Sequence, residues 1–111
     1  RAESEALSVK PPLLQGVPVV RGSETVTYRC DRDERIEASY YHLADESLRF
    51  VRLRMPDGRE RTLPQGPSAS GARYTDEIAW VWWIKGDSAR LETRGPDGKW
   101  RSMYEACSVR Q

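Results

Sequence analysis

The sequence predicts an all-β domain, an antiparallel barrel or sandwich of about seven or eight short strands. Two observations carry this prediction. Apolar and polar residues alternate with a period of two in several segments. Turns containing Gly or Pro separate those segments at regular spacing, among them Pro56-Asp57-Gly58 and Gly95-Pro96-Asp97-Gly98. No segment has a convincing amphipathic helix pattern.

The strand pattern begins at residue 25, where the chain changes from a Pro-containing segment to strict alternation. The first two strands place apolar residues at Val26, Tyr28 and Cys30, and then at Ile36, Ala38 and Tyr40. In the next strand the apolar phase slips by one residue at Phe50-Val51, which predicts a β-bulge. A short strand follows around 61–63 and is expected to end at Pro64. The final strand, 99–109, is predicted to bury Met103, Cys107 and Val109 on one face.

The most distinctive stretch is 68–87. It begins with a loop of small residues, Ser68-Ala69-Ser70-Gly71-Ala72, whose backbone can turn tightly and approach another surface closely. An apolar block, 78–84, then carries Trp80, Trp82 and Trp83, and it ends at the turn Lys85-Gly86-Asp87. A rigid aromatic strand beside such a loop can present a serine and a lysine from a fixed platform. The stretch is therefore the candidate working part.

The totals favour one small domain with an extended segment before it. The chain has 111 residues and a formal net charge of +1, with acidic and basic side chains interspersed. This balance argues against nucleic-acid binding, which needs clustered basic residues. Residues 1–24 contain Pro11, Pro12 and Pro18 and are predicted to form an extended arm or tether. Residues 25–111 are predicted to form the β domain.

The two cysteines, Cys30 and Cys107, lie near the two ends of the predicted domain. Two thiols are too few for a structural zinc site and are not spaced as C-x-x-C. One disulfide between the first and last strands is the favoured interpretation, and two buried free thiols are the alternative. A disulfide would place the protein in the periplasm or outside the cell, since the cytosol keeps thiols reduced.

Several classes of function find no support in the sequence. His42 is the single histidine, and no Ser/His/Asp or Cys/His arrangement accompanies it. The acidic pairs fall at predicted turns, and no Gly-rich phosphate loop is present. No segment approaches the roughly 20 apolar residues of a membrane helix. We therefore expect no enzymatic activity, no metal and no cofactor.

Four features occur together and in order, and they carry a resemblance. These are Tyr28-x-Cys30, the segment Ser70-Gly71-Ala72-Arg73-Tyr74, the segment Trp83-x-Lys85-Gly86-Asp87-x-Ala89-x-Leu91, and Cys107 near the end of the chain. Over residues 25–109 the chain resembles the membrane-bound and periplasmic inhibitors of C-type lysozyme, which are small proteins of Gram-negative bacteria.

The resemblance implies a small antiparallel β-barrel of eight strands, closed by a Cys30–Cys107 disulfide and without catalytic activity. It implies C-type lysozyme as partner, with a loop serine and the lysine of the W-x-K-G motif entering the enzyme's cleft. Those residues are Lys85 and most simply Ser70, with Ser68 as the open alternative. Gly71, Ala72, Arg73 and Tyr74 complete the predicted partner-binding set, and Arg73 and Tyr74 are expected mainly to brace the loop.

The resemblance also bears on location. It implies a protein of the periplasm or of the outer membrane of a Gram-negative bacterium. Its membrane-bound members are lipoproteins, which leaves room for a lipid-bearing cysteine upstream of Arg1. Separately, the sequence leaves open a homodimer formed through the aromatic strand. The alternative function is a non-catalytic barrel module that binds another envelope ligand, a glycan or a peptide, through its Trp-rich strand.

Overall fold

The protein forms a closed antiparallel β-barrel of eight strands, as the resemblance implied. The computed structural model describes residues 20–109, without the side chains of residues 21–23. The strands are β1 (Val20–Arg29), β2 (Arg35–Leu43), β3 (Arg49–Arg54), β4 (Glu60–Gly66), β5 (Ala72–Thr75), β6 (Trp80–Lys85), β7 (Ser88–Arg94) and β8 (Trp100–Val109). One 3₁₀ turn, Asp31–Asp33, joins β1 to β2.

Each strand pairs with its neighbours in the chain, and β1 closes the barrel against β8. In such a meander the connections alternate between the two ends of the barrel. The loop 67–71 and the turn 86–87 therefore lie at one end, with the start of β1. The turns 56–59, 76–79 and 95–99 lie at the other end. Within residues 20–109, no helix is long and apolar enough to cross a membrane.

The core fills the inside of the barrel, because alternate residues of every strand point inward. Trp82, Ile36 and Leu53 are fully buried there. Further buried residues extend the core to all eight strands, and they include Tyr28, Ala38, Val51, Leu63, Tyr74, Leu91, Tyr104 and Cys107. The period-two alternation that predicted strands is thus the alternation between this core and the outer wall.

The disulfide joins Cys30 to Cys107 at the place where the barrel closes. Within the described part of the chain, two residue pairs connect β1 to β8, Tyr28 with Val109 and Arg29 with Ser108. Cys30 follows Arg29 directly, so the covalent bond reinforces this short strand pairing, beside which it lies. The predicted pairing of the cysteines is confirmed, and no free cysteine occurs in the described part of the chain.

Three details of the sequence prediction are wrong. The pairing of β3 is continuous through Phe50-Val51, with no bulge. Phe50 is apolar because it stacks on Tyr41 on the outer wall, with ring centroids 5.0 Å apart, so β3 has apolar residues on both faces. β4 also runs through Pro64 to Gly66. Its pairing with β5 begins only at Gln65, after the proline.

The third error concerns β8, where Met103 is exposed and Tyr104 is buried in its place. The register between β7 and β8 shifts twice, between Ala89 and Leu91 and again between Leu91 and Glu92. Ala106 has a positive φ of 53° within this irregular stretch. These bulges change the inward phase of β8 and bring Cys107 back to the core.

The predicted arm, residues 1–24, lies mostly outside the described residues. Its last five residues, 20–24, belong to β1, which pairs with β2 from Val20 onward. The boundary between arm and domain stays a prediction.

Candidate functional site

The predicted loop and the predicted lysine lie next to each other at one end of the barrel. β5 and β6 pair from Ala72 with Ile84 to Thr75 with Val81, so the residues just before Ala72 run alongside Lys85. Lys85 is the last residue of β6 and pairs with Ser88 across a two-residue turn. Gly86, the first residue of that turn, has a φ of 59°, which glycine adopts without strain.

Gly71 is the point of closest approach between the loop and β6. Its φ is 67°, and a Cβ atom placed on it would overlap with the carbonyl oxygen of Ile84. The same Cβ would lie 3.3 Å from the Cβ of Lys85. Only glycine combines this backbone angle with this proximity, so Gly71 allows the loop to pack directly on the strand end that carries the lysine.

We expect Gly71→Ala to lower the free energy of unfolding by at least about 1 kcal/mol more than Gly58→Ala. Both substitutions put a side chain at a positive φ, which costs about 1–2 kcal/mol. Gly58 has a φ of 90° and no atom within 4 Å of the added Cβ, so it measures the backbone cost alone. Chemical denaturation of both variants gives the difference. Equal losses would contradict the close approach of the loop.

A cavity of about 430 Å³ opens on the outer wall between this loop and β6, β7 and β8. Ser70 and Lys85 both line it. The other lining residues are Trp83, Ile84, Ser88, Ala89, Arg90 and Ala106. The two charged residues in this set are both cationic, and two serine hydroxyls accompany them. The cavity therefore suits an anionic or hydrogen-bonding group of a partner molecule.

The five other predicted site residues do not line the cavity, and they fall into three groups. Ser68 lies within the loop, and its hydroxyl donates a hydrogen bond to the carbonyl oxygen of Ser70 at 2.6 Å. It holds the loop that presents Ser70, together with Gly71. Tyr74 is buried in the core and Ala72 packs against it, so both support the loop from inside the barrel. Arg73 lies on the outer wall and braces the neighbouring tryptophan.

Trp83 lies on the outer wall between two arginines, one from each neighbouring strand. Arg73 and Arg90 pair with Trp83 across the sheet. Their guanidinium carbons lie 5.6 Å and 5.1 Å from the ring centroid, within the range of cation–π attraction. The indole Nε1 of Trp83 is buried and has no hydrogen-bond acceptor among the described residues. Trp83 and Arg90 line the same cavity as Lys85.

The turn between β5 and β6 is held by carboxylates. Asp76 accepts hydrogen bonds from the backbone N–H groups of Ile78, Ala79 and Trp80. Burial by itself would raise the pKa of Asp76, but these hydrogen bonds together bring the pKa below its ordinary value. Glu77 accepts from Arg73, and that hydrogen bond is the main cause of its lowered pKa. The turn thus fixes Arg73 beside Trp83.

Inside the barrel, a short hydrogen-bonded chain supports the same strand. The Nε1 of Trp82 donates to the hydroxyl of Tyr40 at 3.0 Å, and that hydroxyl lies 2.9 Å from the hydroxyl of Tyr28. Burial raises the pKa of Tyr40 well above its ordinary value, which keeps the hydroxyl protonated. The indole and both phenols are therefore satisfied in the core, and β6 is anchored on its inner face.

The Trp-rich strand offers little open aromatic surface. Trp82 is buried, and Trp83 is flanked by arginines. Trp80 has Arg59 and Arg61 over its ring, with guanidinium carbons 5.8 Å and 5.4 Å from the centroid. A sugar that stacks on an indole needs a free ring face. This arrangement does not favour the alternative of a glycan groove along β6.

Arg90, Ser88 and Ala106 were not among the predicted site residues. A signal for the first two was present, because a two-residue turn at Gly86-Asp87 pairs Lys85 with Ser88 and therefore Trp83 with Arg90. Ala106 could not be found in this way. It reaches the cavity through the irregular register of β8, which no local pattern encodes.

Fold and site together define a small, disulfide-closed β-barrel domain with one hydroxyl- and cation-lined cavity near its end. Residues 28–100 match the model of the family described as membrane-bound lysozyme-inhibitor of c-type lysozyme. A curated relative, the membrane-bound lysozyme inhibitor of C-type lysozyme from Escherichia coli, is 39% identical over 72 residues. That match covers 65% of this chain and 60% of the relative's length. The chain belongs to this family, whose members are inhibitors rather than enzymes.

Two solved structures share the fold. One is Pseudomonas aeruginosa MliC in complex with hen egg white lysozyme, with a TM-score of 0.62 at 22% identity over 99% of each chain. The other is the Adhesin Complex Protein from Neisseria meningitidis, with a TM-score of 0.57 at 17% identity, over 78% of this chain and 99% of that one. At these identities the likeness concerns the fold alone.

Proposed function

We propose that this protein inhibits a C-type lysozyme by placing Ser70 and Lys85 in the catalytic cleft of the enzyme. The observation that carries the proposal is that these two residues line one cavity, where the close approach of Gly71 to the end of β6 holds the loop beside Lys85. Membership of the lysozyme-inhibitor family supports the choice of partner. So does the Pseudomonas aeruginosa relative, which was crystallised with hen egg white lysozyme.

The chemistry of the partner explains why a lysine and a serine suit this task. Retaining glycosidases of the lysozyme type use two carboxyl groups about 5–5.5 Å apart, one protonated and one ionised. An ammonium group between them donates hydrogen bonds to both and occupies the place of the sugar. A hydroxyl can donate or accept, so Ser70 can bond a carboxyl in either protonation state. Lys85 is exposed and makes no ion pair with the described residues.

The rigidity of the site supports tight binding. Lys85 ends a strand anchored by the buried Trp82, and the loop of Ser70 is tied down by the Ser68 hydrogen bond and by Gly71. Groups that are already ordered lose less conformational entropy on binding than mobile ones. The barrel thus holds the hydroxyl of Ser70 and the ammonium group of Lys85 in fixed positions for binding.

The proposal is tested by titrating the purified protein into a bacterial-cell lysis assay with hen egg white lysozyme. We expect lysis to stop near a one-to-one ratio, since blocking a cleft is stoichiometric. Undiminished lysis at a large excess of this protein would refute the proposal for that enzyme. Goose-type and invertebrate-type lysozymes are then the next partners to assay.

We also propose that the protein works in the envelope of a Gram-negative bacterium, in the periplasm or at the outer membrane. The family description and the Cys30–Cys107 disulfide support an oxidising compartment next to a membrane. A lipid anchor upstream of Arg1 and a homodimer stay predictions. Mass spectrometry of the natural protein and sedimentation analysis address them separately.

A further inference from the structure

We propose that Arg90 is a second partner-binding residue, which binds a carboxylate on the rim of the enzyme's cleft while Lys85 occupies the cleft itself. The inference rests on the proposed function and adds a determinant of specificity to it. Lysozymes that carry an acidic side chain at the matching place on the rim would bind more tightly than those that do not.

The position of Arg90 is the first argument. It lies on the outer face of β7 and lines the same cavity as Ser70 and Lys85. Its side chain is 48% exposed, so a partner can reach it. Any molecule that brings a group to Lys85 from this side of the barrel also comes close to Arg90.

The second argument is that the side chain of Arg90 is held in place while part of its guanidinium group has no hydrogen-bond partner among the described residues. Its Nε donates to Glu92 at 2.8 Å, and its guanidinium lies over the ring of Trp83. These contacts hold the side chain while its two terminal nitrogens make no hydrogen bond to the described residues. Those nitrogens form a planar fork that matches the two oxygens of a carboxylate. The two terminal nitrogens of Arg90 can therefore bind a carboxylate of a partner molecule.

Arg73 provides an internal contrast. It flanks the same indole from the opposite strand, but both of its terminal nitrogens donate to Glu77, at 3.3 Å and 2.9 Å. Its side chain is only 20% exposed, and it does not line the cavity. The two arginines that flank Trp83 therefore differ in role. The terminal nitrogens of Arg73 are hydrogen-bonded to Glu77, and Arg73 braces the stack. The terminal nitrogens of Arg90 make no hydrogen bond to the described residues, and Arg90 lines the cavity.

The chemistry of the cavity selects the kind of partner group. Among residues 20–109 no carboxylate lines the cavity, and the cations that line it are Lys85 and Arg90. A carboxylate there would meet a guanidinium fork and the hydroxyl of Ser88, whereas a cationic group would be repelled. Because Arg90 is preoriented by Glu92 and Trp83, little side-chain entropy is lost when it binds.

The test compares the affinities of variants for hen egg white lysozyme, measured by calorimetry, together with their thermal unfolding. We expect Arg90→Ala to raise the Kd about tenfold or more, with little change in the unfolding temperature. Arg90→Lys should recover only part of the affinity, because lysine keeps the charge but lacks the fork. The affinity of Arg90→Ala should also depend less on salt than that of the native protein.

Two further variants separate a direct contact from an effect on Trp83. Arg52→Ala is the matched control. Arg52 lies on β3, away from the cavity, and its side chain is 52% exposed and forms an ion pair with Glu60 at 2.6 Å. It should bind like the native protein. Arg73→Ala removes the other guanidinium from Trp83 and should lower stability more than affinity.

The outcomes are distinguishable. If the native protein does not bind lysozyme, the proposed function fails. If the native protein binds and Arg90→Ala binds equally well, the function stands and the role of Arg90 is refuted. If Arg73→Ala weakens binding as much as Arg90→Ala, or Arg90→Lys restores it fully, the direct bidentate contact is refuted.

Discussion

Lys85→Ala should require at least about tenfold more protein to stop lysis by hen egg white lysozyme than the native form. In the proposed complex the ammonium group of Lys85 donates to both catalytic carboxyls, so that removing it leaves those carboxyls facing an apolar methyl group. Losing a charged hydrogen-bonding partner in a closed interface costs about 2–5 kcal/mol. Calorimetry with the same enzyme gives the loss directly.

Lys99→Ala is the control for that experiment. Lys99 is also an exposed lysine in a turn, but its turn, 95–99, lies at the opposite end of the barrel. It removes the same charge without touching the site. If both substitutions weaken inhibition equally, net charge matters and the placement of Lys85 does not. If neither does, the barrel inhibits through another surface.

Replacing both cysteines by alanine should lower the free energy of unfolding by about 4–5 kcal/mol. The bond joins residues separated by 77 positions, and closing a loop of that length restricts the unfolded chain by about this amount in the chain-entropy model. The pairing of β1 with β8 beside the bond has two residue pairs among residues 20–109, Tyr28 with Val109 and Arg29 with Ser108. Guanidinium denaturation under oxidising conditions gives the difference.

The reduced native protein separates the covalent bond from the packing of its sulfur atoms. Both cysteines are buried, so alanine also leaves space in the core. Reduction keeps both sulfur atoms and removes only the bond, and it should account for most of the loss. A stability that is unchanged on reduction would show that the barrel closes without the bond. Some loss of affinity should accompany opening, since Val109 donates to Asp87 in the Lys85 turn.

Local patterns were enough for the fold class. Alternation at Tyr28 and Cys30 or at Ile36 and Ala38 depends only on which face of a strand meets the core, and the turns at Gly58 and Gly98 use glycines with positive φ as their sequence suggested. The pattern failed where both faces of a strand are apolar, as at Phe50. It failed again where bulges change the phase, as around Met103.

The candidate site divides in the same way. Ser70 and Lys85 could be named from the sequence, because the motifs that carry them are short and contiguous. Which serine faces the cavity depended on the hydrogen bond from Ser68 to the backbone of Ser70. The difference between Arg73 and Arg90 depended on which carboxylate lies near each guanidinium.

The sequence by itself determined the all-β class, the family and the pairing of Cys30 with Cys107, and it named Lys85 as a candidate residue of the site. Only the tertiary structure decided that the loop packs on Ile84 at Gly71. Only the tertiary structure also decided that Arg90 lines the same cavity as Lys85, with its terminal nitrogens making no hydrogen bond to the described residues. The physical reason is distance along the chain. Strand formation and turn chemistry depend on neighbouring residues, whereas the cavity is built from the loop 67–71 and from β6, β7 and β8 together. Their register and bulges emerge only when the barrel closes.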